Sequence, residues 1–365
     1  MPRLVFETAT LQDVVGKAAN VAPTKAGEAF DKAAGIYLST AGDEVQIRAT
    51  DLKIYYLEVV DTVEMEGPVE WRLSSLILSG ITSKLKIGTG KTVSLTQKDN
   101  IVILESDRTR AQLRMMNASY FPPWDPFDPD KLELVPDFGA RVKQVEWAAD
   151  TSGEPPLGGV HIDGQKIIST DRYRLACVPC KAEPVYKPIT VPSGIFAPVI
   201  RNLGDVAIGI EENQFLLMPD HATQIRAAIY DLPYPNLDRA LRRDHPDKIK
   251  LKKQSLLDMI SLAMVFGMKE RIPKMTTYFG KEQLAVLMSD QDEGQLGDIL
   301  DIPGQATHPR TTIDFTPNNL KSAVENAPSE EIFLHYDKDK PGQQVRIDGG
   351  SGYEAWVMPR KKSKE

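Results

Sequence analysis

Alternating apolar and polar residues, interrupted by short turns, occur three times along the chain at nearly equal spacing. Each copy predicts a strand, a tight turn and a second strand, because alternation is typical of half-buried strands and Gly or Asp favours the turn. The copies end at Asp51, Asp171 and Asp290, which lie 120 and 119 residues apart. They read GIYLSTAGDEVQIRATD, GVHIDGQKIISTD and MTTYFGKEQLAVLMSD. This spacing indicates one structural unit used three times.

Helical patterns stand before and after each hairpin. Apolar residues recur three and four positions apart in these segments. The segments upstream of the hairpins are 8–21, 139–150 and 251–271, and those downstream of the hairpins are 72–86, 192–204 and 317–328. Further strands close each copy. The order predicts an α+β fold with two helices packed on antiparallel sheets in each domain. The three predicted domains are residues 1–125, 126–245 and 246–365, joined near the proline-rich stretch 119–137 and the polar stretch 242–248.

Composition and net charge exclude several classes of protein. The 365 residues are 41% hydrophobic, which is enough for several cores. With 51 acidic and 44 basic residues the net charge is -7, which excludes a uniformly basic nucleic-acid binder but not a basic face on an acidic body. The N-terminus lacks a signal-peptide pattern, and no apolar run approaches the roughly 20 residues that span a bilayer. We therefore expect a cytoplasmic protein.

The predicted helices differ in charge from the rest of the chain. They contain twelve basic and six acidic residues, a net charge of +6, which leaves -13 for the remainder. One interpretation is that the helices share a surface facing a polyanion and contact phosphates without reading sequence. The alternative is an ordinary solvated surface, since exposed lysines are common on helices.

Candidate chemistry is sparse. Cys177 and Cys180 form a CxxC pair, but it continues a strand rather than opening a helix, and no second pair completes a zinc site. The segment KIGTGKT ends like a phosphate-binding loop, but the required first glycine is Leu85 and a strand follows. The five histidines lack metal-ligand spacing and there is no GxSxG motif. No enzyme, cofactor or metal site is predicted. A redox protein using the CxxC pair, and a repeat-built protein scaffold without DNA binding, stay as alternatives.

Several short motifs resemble those of one family in the same order and at similar spacing. These are Ala49-Thr50-Asp51, then STDRYRLA over 169–176, similar to ATDGHRLA, then Tyr234-Pro235 with Arg239, and finally VMPR over 357–360. The chain thus resembles the bacterial DNA polymerase III beta subunit, the sliding clamp, along essentially its full length. Arg172-Tyr173 replaces the Gly-His of the family motif, and five further residues follow Arg360. These differences indicate a divergent member, and a phage-encoded origin stays open.

The resemblance implies DNA-clamp domains that close as a head-to-tail dimer into a six-domain ring. Its helices would line a hole around duplex DNA without reading sequence, and the ring would tether the replicative DNA polymerase as a nucleoid-associated processivity factor. An ATP-dependent clamp loader would supply the hydrolysis. Partners would dock through a short peptide held in an apolar pocket.

The resemblance also assigns residues. The implied partner-peptide pocket comprises Leu157, Thr170, Tyr173, Arg174, Leu175, Pro235, Arg239, Ala240, Ile272, Trp356, Met358, Pro359 and Arg360. The DNA-facing candidates are Lys17, Lys25, Lys84, Lys86, Arg141, Lys143, Arg201, Lys252, Lys253 and Lys321.

Overall fold

The chain folds into antiparallel sheets with few helices. The computed structural model describes residues 1–23, 33–124, 127–182, 187–196, 204–237, 241–267, 273–280, 282–290 without the Asp290 side chain, 294–303 and 311–360. The α-helices of this part are α1 (Thr8–Val21), α2 (Ser75–Thr82), α3 (Phe138–Glu146), α4 (Lys253–Ala263) and α5 (Pro317–Glu325). Its short 3-10 helices are Ala118–Tyr120, Pro129–Lys131, Ser193–Phe196 and Met264–Gly267.

The chain forms two compact units, and the first comprises Met1–Gly139 with Gly194–Ile229. Its smaller sheet has the strand order β5 (Glu64–Glu66), β1 (Arg3–Glu7), β7 (Thr92–Lys98), β8 (Ile101–Ser106) and β9 (Thr109–Arg114). Its larger sheet has the order β10 (Glu133–Val135), β15 (Val206–Glu211), β16 (Gln214–Met218), β17 (Thr223–Ala228), β4 (Ile54–Val60), β3 (Glu44–Thr50), β2 (Ile36–Ala41) and β6 (Glu70–Leu73).

The second unit comprises Ala140–Ser193 with Tyr230–Glu365. Its larger sheet has the order β14 (Ile189–Pro192), β11 (Gly159–Ile162), β12 (Lys166–Thr170), β13 (Arg174–Pro179), β25 (Glu354–Val357), β24 (Val345–Asp348), β23 (Glu331–Tyr336) and β18 (Asp247–Lys252). Its smaller sheet has the order β21 (Gly294–Asp301), β20 (Gln283–Asp290), β19 (Met275–Phe279) and β22 (Thr311–Phe315).

The three predicted hairpins are present as β2–β3, β11–β12 and β19–β20. Helix α1 matches its predicted limits, because Leu11, Val15 and Ala18 form a fully buried stripe on one face. Pro23, just beyond the helix, cannot continue it.

Two predicted helices are shorter than expected because strands take their ends. Arg72 belongs to β6 and lies buried, with its Nε donating to the carbonyl of Ala34 at 2.7 Å. Leu251 and Lys252 belong to β18, which pairs with β23.

The helix predicted from Pro192 is wrong at its start. Pro192 ends β14, an edge strand where a missing N–H is tolerated, and the 3-10 helix Ser193–Phe196 follows it. Residues 197–203 of that predicted helix lie outside the described residues.

Each eight-stranded sheet combines strands from two of the predicted domains. In the first unit β17 pairs with β4, and in the second β13 pairs with β25. The predicted middle domain therefore contributes strands to both compact units. The limits of the three domains stay a prediction.

Candidate functional site

An apolar cleft opens in the second unit where β13 and β25 run side by side. Leu175 of β13 is the register partner of Trp356 of β25, and both are buried. They form one cluster with Ile168 and Cys177, against which Leu237 and Leu241 pack. The cleft measures about 220 Å³. Its lining consists of Leu157, Thr170, Arg172, Tyr173, Arg174, Leu175, Pro235, Asn236, Leu237, Gln344, Trp356 and Met358.

The indole of Trp356 is fixed in the floor of the cleft. Its Nε1 donates a hydrogen bond to the carbonyl of Arg242 at 3.0 Å, so the one polar atom of the ring has a partner despite its burial. Trp356 therefore presents a rigid apolar surface.

Two large side chains stand at the rim. Tyr173 is 66% exposed and Met358 is 39% exposed. The backbone N–H of Met358 donates to the carbonyl of Tyr173 at 2.8 Å, which holds the two segments together. An exposed aromatic ring and an adaptable thioether above an apolar floor suit the capture of apolar side chains from a partner.

The Thr-Asp motif builds the turn that carries Arg172 and Tyr173. Thr170 Oγ1 accepts the N–H of Arg172 at 3.1 Å and donates to the carbonyl of Arg174 at 2.7 Å. Asp171 Oδ1 accepts the N–H groups of Tyr173 and Arg174, both at 2.9 Å. These bonds satisfy the backbone of a tight turn in which Arg172 has a φ of 78°.

The same turn occurs after β3. There Thr50 Oγ1 accepts the N–H of Leu52, and Asp51 Oδ1 accepts the N–H groups of Lys53 and Ile54. Leu52 has a φ of 72°, close to that of Arg172. The repeated Thr-Asp pairs are therefore turn-forming residues first, and the cleft uses only one of the two turns.

Arg174 is held by neighbours in the cleft wall. Its Nε donates to Asp171 Oδ2 at 2.8 Å, and both side chains are mostly buried. Its guanidinium carbon lies 5.5 Å from the ring centroid of Trp147. The charge of Arg174 is thus balanced by Asp171, and its guanidinium also makes a cation–π contact with Trp147.

The structure brings together eight of the thirteen pocket residues implied by the resemblance: Leu157, Thr170, Tyr173, Arg174, Leu175, Pro235, Trp356 and Met358. Pro359 and Arg360 follow Met358 without lining the cleft, and the N–H of Arg360 donates to the carbonyl of Asp314. Arg239, Ala240 and Ile272 lie outside the described residues.

Four lining residues were missed by sequence reasoning. Asn236 and Leu237 directly follow the Tyr234-Pro235 motif, so its continuation was the available signal. Arg172 was not assigned to the pocket, although the sequence shows that it replaces the glycine of the family motif. No sequence pattern near Gln344 predicts that it lines the cleft, because the pairing of β24 with β25 brings it there.

The DNA-facing candidates have different environments. Lys84, Lys86, Lys143 and Lys252 are exposed, whereas Arg141, Lys253 and Lys321 are half-buried. Lys253 Nζ donates to the carbonyls of Glu325 and Ala327 at 3.0 and 2.8 Å. Lys25 and Arg201 lie outside the described residues.

The structure corrects the prediction that Lys17 faces DNA. It is only 8% exposed, and its Nζ lies 2.8 Å from Asp13 Oδ2 and 3.1 Å from Glu58 Oε1. The two carboxylates stabilise the ammonium and raise its pKa, although burial acts in the opposite direction as the largest influence. Lys17 is thus a buried ion-pair residue of α1 and is not available to phosphates.

The predicted net charge of +6 on the helices is too high. Within their observed limits, the five described α-helices contain five basic and four acidic residues. Three of the four exposed candidate lysines lie next to helices: Lys84 and Lys86 follow α2, and Lys252 precedes α4, whereas Lys143 lies within α3. Any basic surface formed by these lysines therefore combines positions beside helices with one on a helix.

The cysteine pair lacks the properties of a redox site. Both thiols are free and buried, Cys177 within β13 and Cys180 just after it. Burial raises the pKa of each to about 11. Because the thiolate is the reactive form, thiols with this pKa are nearly inert at neutral pH.

The described residues offer little other chemistry. Lys91 of the KIGTGKT segment pairs with Asp107 at 2.8 Å, and β7 begins at the next residue, so the segment is a turn between elements. Among the described side chains no His, Cys, Asp or Glu cluster could hold a metal ion. No helix in the described part is long and apolar enough to cross a membrane.

The fold is shared with a class of DNA polymerase subunits of known structure. The chain has the fold of bacterial DNA polymerase III beta subunits, also called sliding clamps. The beta subunit from Thermotoga maritima is 17% identical, with 100% of both chains covered and a TM-score of 0.83. The sliding clamp from Bacillus subtilis is 17% identical over 99% of this chain and 100% of that one, with a TM-score of 0.79.

A third similar structure is the beta subunit from Pseudomonas aeruginosa. It is 14% identical over 98% of this chain and 100% of its own, with a TM-score of 0.77. No family model matches the chain, and no curated protein matches its sequence. The fold is therefore retained end to end while the sequence has diverged.

Proposed function

We propose that this protein is a non-enzymatic DNA sliding clamp, a processivity factor that encircles duplex DNA and tethers a replicative DNA polymerase. The observation that carries the proposal is the likeness of fold over the whole of both chains. The inert cysteine pair removes the support for a redox function. We place the protein in the cytoplasm, on DNA, with an ATP-dependent loader acting in trans.

A ring requires two copies of this chain, and two sheet edges are suited to joining them. In the described part, β9 pairs only with β8 and β21 only with β20, so each leaves one side without a strand. β9 carries the exposed Arg110 and Arg114, whereas β21 carries Asp298 and Asp301. Unpaired edges of opposite charge favour pairing of β9 from one copy with β21 of the other.

Apolar exposure supports the same assignment. Ile299 of β21 is 62% exposed, and α4 with the following 3-10 helix contacts this strand. Leu262 and Val265 on those helical segments are also exposed. Because the two edges differ, the contact is heterologous, and a head-to-tail dimer closes it into a ring without leaving β9 or β21 free.

Topological linkage explains how a protein of net charge -7 can stay on DNA. A ring around DNA needs only enough positive charge on its inner surface to avoid repelling the phosphates. Tight contacts with the phosphates would slow sliding. The exposed Lys84, Lys86, Lys143 and Lys252 are our candidates for that lining. Acidic surface elsewhere disfavours DNA on the wrong face.

The cleft of the second unit is our candidate for partner docking. Its buried Leu175 and Trp356 offer an apolar floor, and Tyr173 and Met358 offer an adaptable rim. We propose that a polymerase segment with apolar side chains binds in this cleft. The polymerase is then tethered to the clamp, which raises the local concentration of the polymerase at the DNA.

Replacing Lys84, Lys86 and Lys252 by glutamate tests the DNA-facing assignment. We expect loaded protein to leave nicked circular DNA about tenfold faster, because three favourable phosphate interactions per protomer become repulsive. The loss should be measured by fluorescence of labelled protein on immobilised circles. Dimer mass and peptide binding should not change.

A matched variant carries the same charge change elsewhere, at the exposed Lys98, Lys181 and Lys187. It should be retained like the unmodified protein. Equal retention of both triple variants would contradict the assignment and favour a protein scaffold that does not contact DNA.

A further inference from the structure

Among the described residues, the rim of the cleft carries one charged side chain without an ion-pair partner. Two of its described lining residues are ionised at neutral pH, Arg172 and Arg174. Arg174 is neutralised by Asp171 at 2.8 Å. The exposed side chain of Arg172 makes no hydrogen bond or ion pair with any described residue. Within the described part of the chain, the edge of the apolar cleft thus has a guanidinium without a partner.

Two described carboxylates that could pair with Arg172, Asp171 and Asp150, already have other hydrogen-bond partners. Asp171 accepts two backbone N–H groups as well as Arg174. Asp150 accepts the N–H of Ser152 at 2.9 Å, and hydrogen bonding to Ser152 is the main reason that its pKa lies below the usual value. Arg172 lowers that pKa only as a smaller, longer-range influence. Its charge therefore stays available to a ligand.

The backbone fixes where this charge is presented. Arg172 occupies the left-handed region, φ 78°, which is unfavourable for a residue with a Cβ, and the Thr170 hydroxyl holds its N–H there. Leu52 has a similar φ, 72°, in the equivalent turn of the first unit, so the conformation belongs to the turn. Of these two turns, only the one that borders the cleft has a charged residue at this position.

We propose that Arg172 makes the cleft select partner segments that carry an aspartate or glutamate beside their apolar anchor residues. This inference rests on the proposed function of the cleft as a docking site for partner peptides. A guanidinium can bind a carboxylate through two parallel hydrogen bonds, and the interaction is stronger beside an apolar surface than in bulk water. Apolar contacts would supply most of the affinity, and Arg172 would supply discrimination.

The test begins with a random decapeptide library displayed on phage and selected on the full-length protein. The same selection uses Arg172→Gln, Arg172→Lys, the cleft variant Met358→Ala, and Lys98→Gln as a control that removes an exposed charge far along the sequence. The most enriched decapeptide that contains Asp or Glu is then synthesised in two forms, one with that acidic residue and one with Asn or Gln in its place. Both are titrated by fluorescence anisotropy at low and high salt.

We expect peptides that combine apolar and acidic residues to be enriched on the unmodified protein, on Lys98→Gln and on Arg172→Lys. The acidic decapeptide should bind roughly fivefold more tightly than its amide at low salt. Arg172→Gln should bring this ratio to about one, and high salt should reduce it in the unmodified protein. Thermal unfolding should show that all variants are folded.

Each contrary outcome has a separate meaning. Enriched peptides without acidic residues, or an acid preference that persists in Arg172→Gln, would overturn the role of Arg172 and leave the docking cleft in place. Equal selection by the unmodified protein and Met358→Ala, with no enriched sequence, would overturn the docking cleft itself and this inference with it.

Discussion

Replacing Met358 and Pro359 by alanine is expected to weaken binding of a polymerase peptide at least tenfold while leaving the protein dimeric. Met358 stands at the rim and its backbone is tied to Tyr173, so truncation removes rim contact area without opening the core. Pro359 constrains the backbone that follows Met358. Peptide affinity should be measured by fluorescence anisotropy and mass by light scattering.

Leu134→Ala is a suitable control, because it truncates an exposed apolar side chain of β10 in the other unit. It should bind the peptide normally. Loss of the dimer in the Met358 and Pro359 variant would show that the C-terminal segment serves subunit contact, and unchanged peptide affinity would remove the cleft from the proposed docking site.

Reversing the charge of either sheet edge is expected to give a monomer of about 40.5 kDa. One variant carries Arg110→Glu with Arg114→Glu on β9, and the other carries Asp298→Arg with Asp301→Arg on β21. Each places like charges at both interfaces of a head-to-tail dimer, and such juxtaposition costs several kcal/mol per interface, so dimer affinity should fall at least a hundredfold. Light scattering at micromolar concentration measures the mass.

Mixing the two variants makes this test specific. In the mixed dimer the reversed β9 of one chain meets the reversed β21 of the other, and the second interface is unmodified. The mixture should therefore recover twice the monomer mass. Persistence of dimers in either variant alone, or failure of the mixture to associate, would contradict the assignment of β9 and β21.

Local patterns predicted local structure well. The hairpins were visible because alternation and turn residues act over a few positions, and α1 was visible because one face is apolar along its whole length. The Thr-Asp pairs, which the sequence showed only as motifs, form turns whose bonds all fall within five residues. The resemblance then located most of the described cleft.

Pairing between distant segments could not be predicted in this way. The contacts of β17 with β4 and of β13 with β25 join strands far apart in sequence, and no local pattern encodes such a partner. Helix limits failed for the same reason, since sheet pairing drew Arg72 and Lys252 into strands and removed them from the helical charge. Burial of Lys17 depends on Glu58, which is 41 residues away.

Charge at the cleft shows a different limit. Arg172 and Arg174 look equivalent in the sequence, and only the structure distinguishes the paired guanidinium from the unpaired one. The family motif does not predict a role for Arg172 either, because glycine at that position has no side chain.

Retention on circular DNA, before and after the circle is cut, tests the sliding clamp most directly. Labelled protein should be loaded onto nicked circular DNA by a clamp loader, freed of the loader, and followed before and after a restriction enzyme linearises the circle. A topologically linked ring predicts slow loss from the circle and rapid loss through the new ends. Equal rates of loss from circular and linear DNA would contradict the proposed function.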